Sequence, residues 1–251
     1  MGNTKMRDCL GLTSLSVLWV LNAAVLCVGV RAGAAEPIAH WQMEDVQAGV
    51  LRDAAGNGHD GAHFGNQGPT VVDGIVGKAL AFDAKAEGGF TVAKSEDFHM
   101  PHGLTVMAWI KPAERAAAYE ILCMKGDQSG DPPWPGWRLR YFWSRVSFEF
   151  GTIDGRQVRV SSPEWSTPAG FWSHVAAVYD GQTVRLYVNA ALAAEQSVDG
   201  GLARQKRPAI VANYVGRKNA YAFHGALDEV KVFDGCLSED EVFAEASRGM
   251  P

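Results

Sequence analysis

Trp172-Ser-His-Val-Ala-Ala-Val-Tyr179, Asp180-Gly181-Gln182 and Thr183-Val-Arg-Leu-Tyr-Val188 read as strand, turn and strand. β-Branched and aromatic residues crowd both runs, and Asp-Gly between them is a hairpin signal because glycine accepts the positive φ that tight turns require. In the second run Val184, Leu186 and Val188 fall on one face, with Arg185 and Tyr187 on the other. That alternation predicts a strand with one buried and one wetter face. Asp-Gly pairs recur at Asp60-Gly61, Asp73-Gly74, Asp154-Gly155, Asp199-Gly200 and Asp234-Gly235, with short β-rich runs between them. The spacing predicts a sandwich or barrel.

Further runs fit the same pattern. Gly103-Leu-Thr-Val-Met-Ala-Trp-Ile110 is apolar on both faces, as a central strand should be, and Arg138-Leu-Arg-Tyr-Phe-Trp143 with Val146-Ser-Phe-Glu-Phe150 predicts a second hairpin. Only residues 238 to 248 carry helix signals. Ser238 as N-cap with Glu241 makes a capping box, Leu237 and Val242 make a staple, and Gly249 stops the helix. The expected architecture is all-β with one short C-terminal helix.

Composition narrows the function. Of 251 residues, 47% are hydrophobic, 20% charged and 10% aromatic, a globular balance. The first 35 residues hold three basic side chains (Lys5, Arg7, Arg31) and one acidic (Asp8). Of the 23 basic and 28 acidic residues, 20 and 27 therefore lie beyond them, a net charge of −7. Nucleic acid and anionic membrane surfaces are poor partners for such a chain.

Lys5 and Arg7 precede an apolar stretch from Leu10 to Val30, followed by Ala32-Gly33-Ala34-Ala35. Residues 1–35 read as a secretory signal with a small-residue cleavage site, leaving residues 36–251 as one exported domain; an uncleaved anchor is the competing reading and the only route to a membrane. Periplasm, cell surface and extracellular space are all consistent with it. Export favours disulfides, and Cys123 and Cys236 are the two cysteines beyond the signal. They form either one bridge or two small buried hydrophobes.

The chain resembles the laminin-G-like branch of the concanavalin A-like lectin/glucanase superfamily. The likeness rests on Asp53-Ala-Ala-Gly-Asn-Gly-His-Asp-Gly61, Gly77-Lys-Ala-Leu-Ala-Phe-Asp83, Leu104-Thr-Val-Met-Ala-Trp-Ile-Lys-Pro112, Ile121-Leu-Cys-Met-Lys-Gly126, the Trp172–Gly181 hairpin strand, Leu186-Tyr-Val-Asn189 and Phe223-His-Gly-Ala-Leu-Asp-Glu-Val-Lys-Val-Phe233, in the family's order. It implies a jelly roll of two antiparallel sheets in a family that supplies mainly extracellular recognition modules. One departure is Asn189-Ala190, where the family has Asp-Gly. Alanine tolerates positive φ poorly, so that turn changes type or carries strain.

The glucanase relatives use a Glu-x-Asp-x-x-Glu run, whose alternation aims the carboxylates into one groove. Phe148-Glu-Phe-Gly-Thr-Ile-Asp154 offers Glu149 without a partner at that spacing, and no other hydrolase or phosphate-binding motif occurs. No catalytic residue is therefore assigned. His59 and His63 read as loop residues.

Strict alternation along the last strand puts Asp228 on a face with Val230 and Val232, where a carboxylate needs a metal ion, a basic side chain or backbone N–H groups. Asp53, Asn57 and Asp60 lie among glycines, a hard-oxygen set that suits Ca²⁺. The resemblance carries a structural calcium over to Asp53 and Asp228, with Asn57 beside them; Asx-turns and backbone hydrogen bonds are the alternative. For a ligand, Gly130-Asp-Pro-Pro-Trp-Pro-Gly-Trp-Arg-Leu-Arg-Tyr141 is the first candidate, because sugars stack on flat rings and hydrogen-bond to charged groups. Trp134 in the Pro-rich loop and Arg140 are its expected contacts, while Trp137, Leu139, Tyr141 and Trp143 alternate onto one face as sandwich core would. The favoured reading is a recognition module for carbohydrate or a glycosylated surface. A structural or adhesive domain with a protein partner is the alternative, followed by a glycan-cleaving enzyme with an atypical site.

Overall fold

The computed structural model describes residues 35–93, 95–114, 120–126, 132–214 and 221–249. The signal reading of residues 1–35 lies, but for Ala35, outside them. The first strands are β1 (Ala39–Trp41), β2 (Val50–Leu51), β3 (Gly61–Phe64), β4 (Thr70–Asp73), β5 (Lys78–Phe82), β6 (Gly89–Val92), β7 (Leu104–Pro112) and β8 (Glu120–Gly126). They are followed by β9 (Gly136–Phe142), β10 (Arg145–Gly151), β11 (Gln157–Ser161), β12 (Ser173–Tyr179), β13 (Thr183–Val188), β14 (Ala191–Ser197), β15 (Ala209–Val211) and β16 (Gly225–Asp234), then helix α1 (Glu239–Ser247).

Two eight-stranded antiparallel sheets result. One runs β14-β13-β12-β7-β16-β5-β4 with β1 also on β16, and the other runs β11-β10-β9-β8-β15-β6-β3-β2. Of the sandwich or barrel that turn spacing predicts, the sandwich is the fold, in the two-sheet arrangement that the resemblance implies. The β12–β13 hairpin pairs Val178 with Arg185, and Asp180 Oδ1 accepts the backbone N–H groups of Gln182 and Thr183, fixing the turn. Strand β7 sits between β12 and β16 and is buried on both faces, as its apolar run required.

The core fills the space between the sheets. Val106, Ala108 and Ile110 of β7 and Val184, Leu186 and Val188 of β13 share it with Trp137, Leu139 and Tyr141 of β9 and Phe148 and Phe150 of β10. A smaller cluster forms on the outer face of the first sheet, where Val242 of α1 and Leu237 meet Met107, Ala176, Val178, Tyr187 and Phe233. The capping box at Ser238 and Glu241 is present, so the helix begins where the sequence placed it.

Three local readings change. Alternation along β16 breaks at a register shift between Asp228 and Lys231, where Glu229 takes φ 50°. The extra residue moves Leu227 into the core with Val230 and Val232, so Asp228 does not share their face. Asn189 and Ala190 have φ 49° and 64°, a two-residue hairpin with both residues left-handed, so the Asn-Ala turn carries strain at Ala190. Finally, Trp143 does not continue the core face of β9. With Ser144 it forms the β9–β10 turn, at φ 43° and 64°.

Cys123 lies in the core and Cys236 packs with the outer cluster under α1, without a bridge between them. Burial pushes the Cys123 thiol up to about 12, which keeps it inert at neutral pH. No helix among the described residues is long and apolar enough to cross a membrane.

Candidate functional site

Hairpin β9–β10 and its neighbour β11 carry one unusual face. Because β-strands alternate, the residues that send Trp137, Leu139, Tyr141, Phe148 and Phe150 inward send Arg138, Arg140, Ser147, Glu149 and Arg159 outward. Glu149 faces Arg138 on β9 and Arg159 on β11. Its Oε1 pairs with both Arg140 and Arg159, the latter at 2.6 Å, while its Oε2 is buried without a partner. Ser161 donates to Ser147 alongside them.

Arg138 is fully buried. Its Nη2 donates to the Trp134 carbonyl at 3.2 Å and its guanidinium lies 5.0 Å from the Trp134 ring centroid, a cation–π contact. Nε and Nη1 have no hydrogen-bond partner. Burial lowers its pKa to about 10, against the opposing pull of Glu149, so it stays protonated at neutral pH. The Trp134 loop is seated by Gln157 Oε1, which accepts the Trp134 N–H, and by Gly151, where a Cβ would come within 2.5 Å of the Trp134 carbonyl oxygen. Trp134 is half-buried rather than exposed.

At the other end of the hairpin stand two exposed tryptophans. Trp143 is 64% and Trp165 76% exposed. Ser144 ties them: its Oγ accepts the Trp165 N–H and its carbonyl accepts the Thr167 N–H, while Arg145 pairs with Glu164. Trp143 also stacks on Phe142, centroids 5.0 Å apart. Exposed tryptophans fixed in a tight turn offer flat apolar surface at little entropic cost on binding. The strip thus runs from Trp134 through the arginines to an aromatic tip. Toward β8 and β15 the same face turns apolar, with Ile121, Met124, Ile210 and Tyr214 in one cluster.

The sequence named Trp134 and Arg140 and set aside Trp143 as possible core. The runs Arg138–Trp143 and Val146–Phe150 leave Ser144 and Arg145 between them, whereas the strands leave Trp143 and Ser144, and no residue type in the sequence marks that one-place shift. Trp165, flanked by Pro163 and Pro168, showed the same Pro-framed loop signal that singled out Trp134. Glu149, from the glucanase scan, is engaged by two guanidinium groups.

The calcium residues are not gathered. Asp53 Oδ1 accepts the N–H groups of His40 and Ala55, and its Oδ2 those of Asn57 and His59, so backbone donors occupy both oxygens. Asn57 Nδ2 donates to the Ile38 carbonyl. Asp228 Oδ2 accepts from Ile75 and Val76 at 2.7 and 3.0 Å, in a separate turn, with Oδ1 buried and unpartnered. A loop that turns N–H groups inward presents donors where an ion needs oxygens; these residues do not fit calcium. Among the described residues no three His, Cys, Asp or Glu side chains form a metal-ligating group. His59 is buried, its Nδ1 on the Ile38 carbonyl and its Nε2 on Asp97, and ties this loop to its surroundings.

Comparison with known proteins places the chain by fold. A family model described as the concanavalin A-like lectin/glucanases superfamily matches residues 85–243. No curated protein sequence matches the chain. Among solved structures, the binding domain of Paraclostridial Mosquitocidal Protein 1 superposes with TM-score 0.63 at 17% identity, covering 84% of this chain and 52% of that one. Domain 4 of AbnA, a GH43 extracellular arabinanase from Geobacillus stearothermophilus in complex with arabinotriose, gives TM-score 0.57 at 19% identity, covering 85% of this chain and 100% of that domain. The binding domain of botulinum neurotoxin DC in complex with SialylT gives 0.61 at 10%, covering 86% and 52%. The chain spans about half the length of the two toxin domains.

Proposed function

The chain belongs to the concanavalin A-like lectin/glucanases superfamily, and from that premise we propose that it is an exported, non-catalytic module that binds a glycan along the β9–β11 strip. The observation that carries this reading is the tip: Trp143 and Trp165, exposed and tied together through Ser144, stand at the end of a strip of buried polar side chains. Sugars present apolar ring faces and a rim of hydroxyls, which rings and charged donors match in turn. The signal-like N-terminus supports export. The arabinotriose complex of the arabinanase domain and the SialylT complex of the toxin domain lend support by fold analogy, which is a weaker warrant than the site itself.

A glycan array probed with the purified chain tests it. Retained saccharides, with binding lost in Trp143→Ala and Trp165→Ala, are expected. A folded chain that retains no glycan, or retention unchanged in both variants, overturns the reading.

A further inference from the structure

On the basis of the proposed glycan site, we propose that its ligand is an anionic saccharide whose acidic group is met by Arg138 and Arg159. Among the described residues, three guanidinium groups, Arg138, Arg140 and Arg159, share the strip with the Glu149 carboxylate, in a chain whose own formal charge is −5. A neutral ligand would leave the buried Arg138 guanidinium without a directly bonded counter-charge, which is costly.

The disposition of the donors sharpens the point. Glu149 Oε1 receives both Arg140 and Arg159. Arg138, opposite Glu149 on β9, keeps Nε and Nη1 buried and unpartnered. They lie on opposite edges of the planar guanidinium, each edge shared with Nη2, which spends one of its two hydrogens on the Trp134 carbonyl; the other edge is left to accept a carboxylate or sulfate. Arg159 is half exposed, its side chain 49% accessible, and marks where solvent reaches the strip. Trp134 over the guanidinium shields the pair from water, which strengthens a charge-assisted contact. At the tip, Trp143 and Trp165 would take the neighbouring sugar rings, so both ends of the strip serve one chain of residues.

Titration calorimetry of the purified chain against matched saccharides tests this. The carboxylate arm compares oligogalacturonate with its methyl ester, and the sulfate arm compares dextran sulfate with dextran. Binding in at least one arm is expected to favour the acidic member by about tenfold or more and to weaken as salt rises. Arg138→Met and Arg159→Gln should each weaken that member by about ten- to a hundredfold and so narrow its advantage over the neutral member. Circular dichroism on both variants separates loss of binding from loss of fold, and Arg159→Gln, at the solvent edge, keeps the test valid if Arg138→Met unfolds. Equal affinity for acidic and neutral members overturns the anionic preference and leaves the glycan reading standing. Failure of all four probes, together with an empty glycan array, overturns both.

Discussion

Arg138 and Glu149 stand directly opposite one another on β9 and β10, and each keeps a buried polar atom without a partner. The pair therefore costs stability where an apolar pair would not, the pattern of a site held ready for something else to complete it. Arg138→Met removes two unpartnered donors along with one hydrogen bond and is expected to change stability by no more than about 1 kcal/mol. Glu149→Gln strips the counter-charge from Arg140 and Arg159 and is expected to cost about 3 kcal/mol. Urea unfolding of the two variants checks the contrast; equal losses would mean that Arg138 is held for stability after all.

The aromatic tip is expected to separate binding from folding. Trp143→Ala and Trp165→Ala remove exposed rings, so stability should move by less than about 0.5 kcal/mol, while affinity for a bound glycan falls about tenfold for each. Thermal melts beside binding titrations decide the matter. A melting point that drops with either substitution would make that ring structural.

Ala190 holds φ 64° in the β13–β14 turn. A left-handed alanine costs roughly 1 kcal/mol that glycine avoids, so Ala190→Gly is expected to raise stability by about that amount and the midpoint by about 2–4 °C. A lower midpoint in calorimetry would show the turn unstrained.

His174 is buried beside Trp109, ring centroids 5.4 Å apart, and burial lowers its pKa from 6.5 to about 3. The unfolded chain takes up a proton near pH 6.5 that the folded chain refuses until about pH 3. Its share of stability is whole above 6.5 and is lost as pH falls through that window, by up to ~1.4 kcal/mol per pH unit. His174→Phe keeps a ring against Trp109 and should flatten the acid limb of the stability curve. An unchanged slope between pH 6 and 4 would assign acid sensitivity elsewhere.

Calcium and chelator are expected to give coincident melting curves, because Asp53 is saturated by four backbone N–H groups. Asp53→Ala would orphan those donors and lower stability by about 3 kcal/mol or more in both conditions. A calcium-dependent rise in midpoint that disappears in Asp228→Ala would return the ion to the Asp228 oxygen left without a partner.

The layers of this fold were legible because its strands alternate cleanly. Val184, Leu186 and Val188 point inward as their spacing required, and the capping box of α1 is local to four residues. What escaped was whatever depended on one inserted residue. The bulge at Glu229 reverses the parity of everything before it on β16, and no sequence feature announces a left-handed glutamate. Asp53 illustrates a second limit: the same Gly-rich loop can turn carbonyls or N–H groups inward, and composition does not tell which. The arginine strip was half visible. Arg140 was named, but that Arg138, Arg140 and Arg159 converge on Glu149 depends on strand register, which fixes neighbours that lie 9 to 21 residues apart in the chain.

Trp143 and Ser144 close a turn of two residues between the paired Phe142 and Arg145, outside every ladder that holds the core. Any dipeptide that accepts positive φ at both positions would close it equally well. Selection can therefore rewrite the tip without reopening the question of whether the chain folds, so that descendants of one scaffold diverge in what they recognise while their architecture stays still.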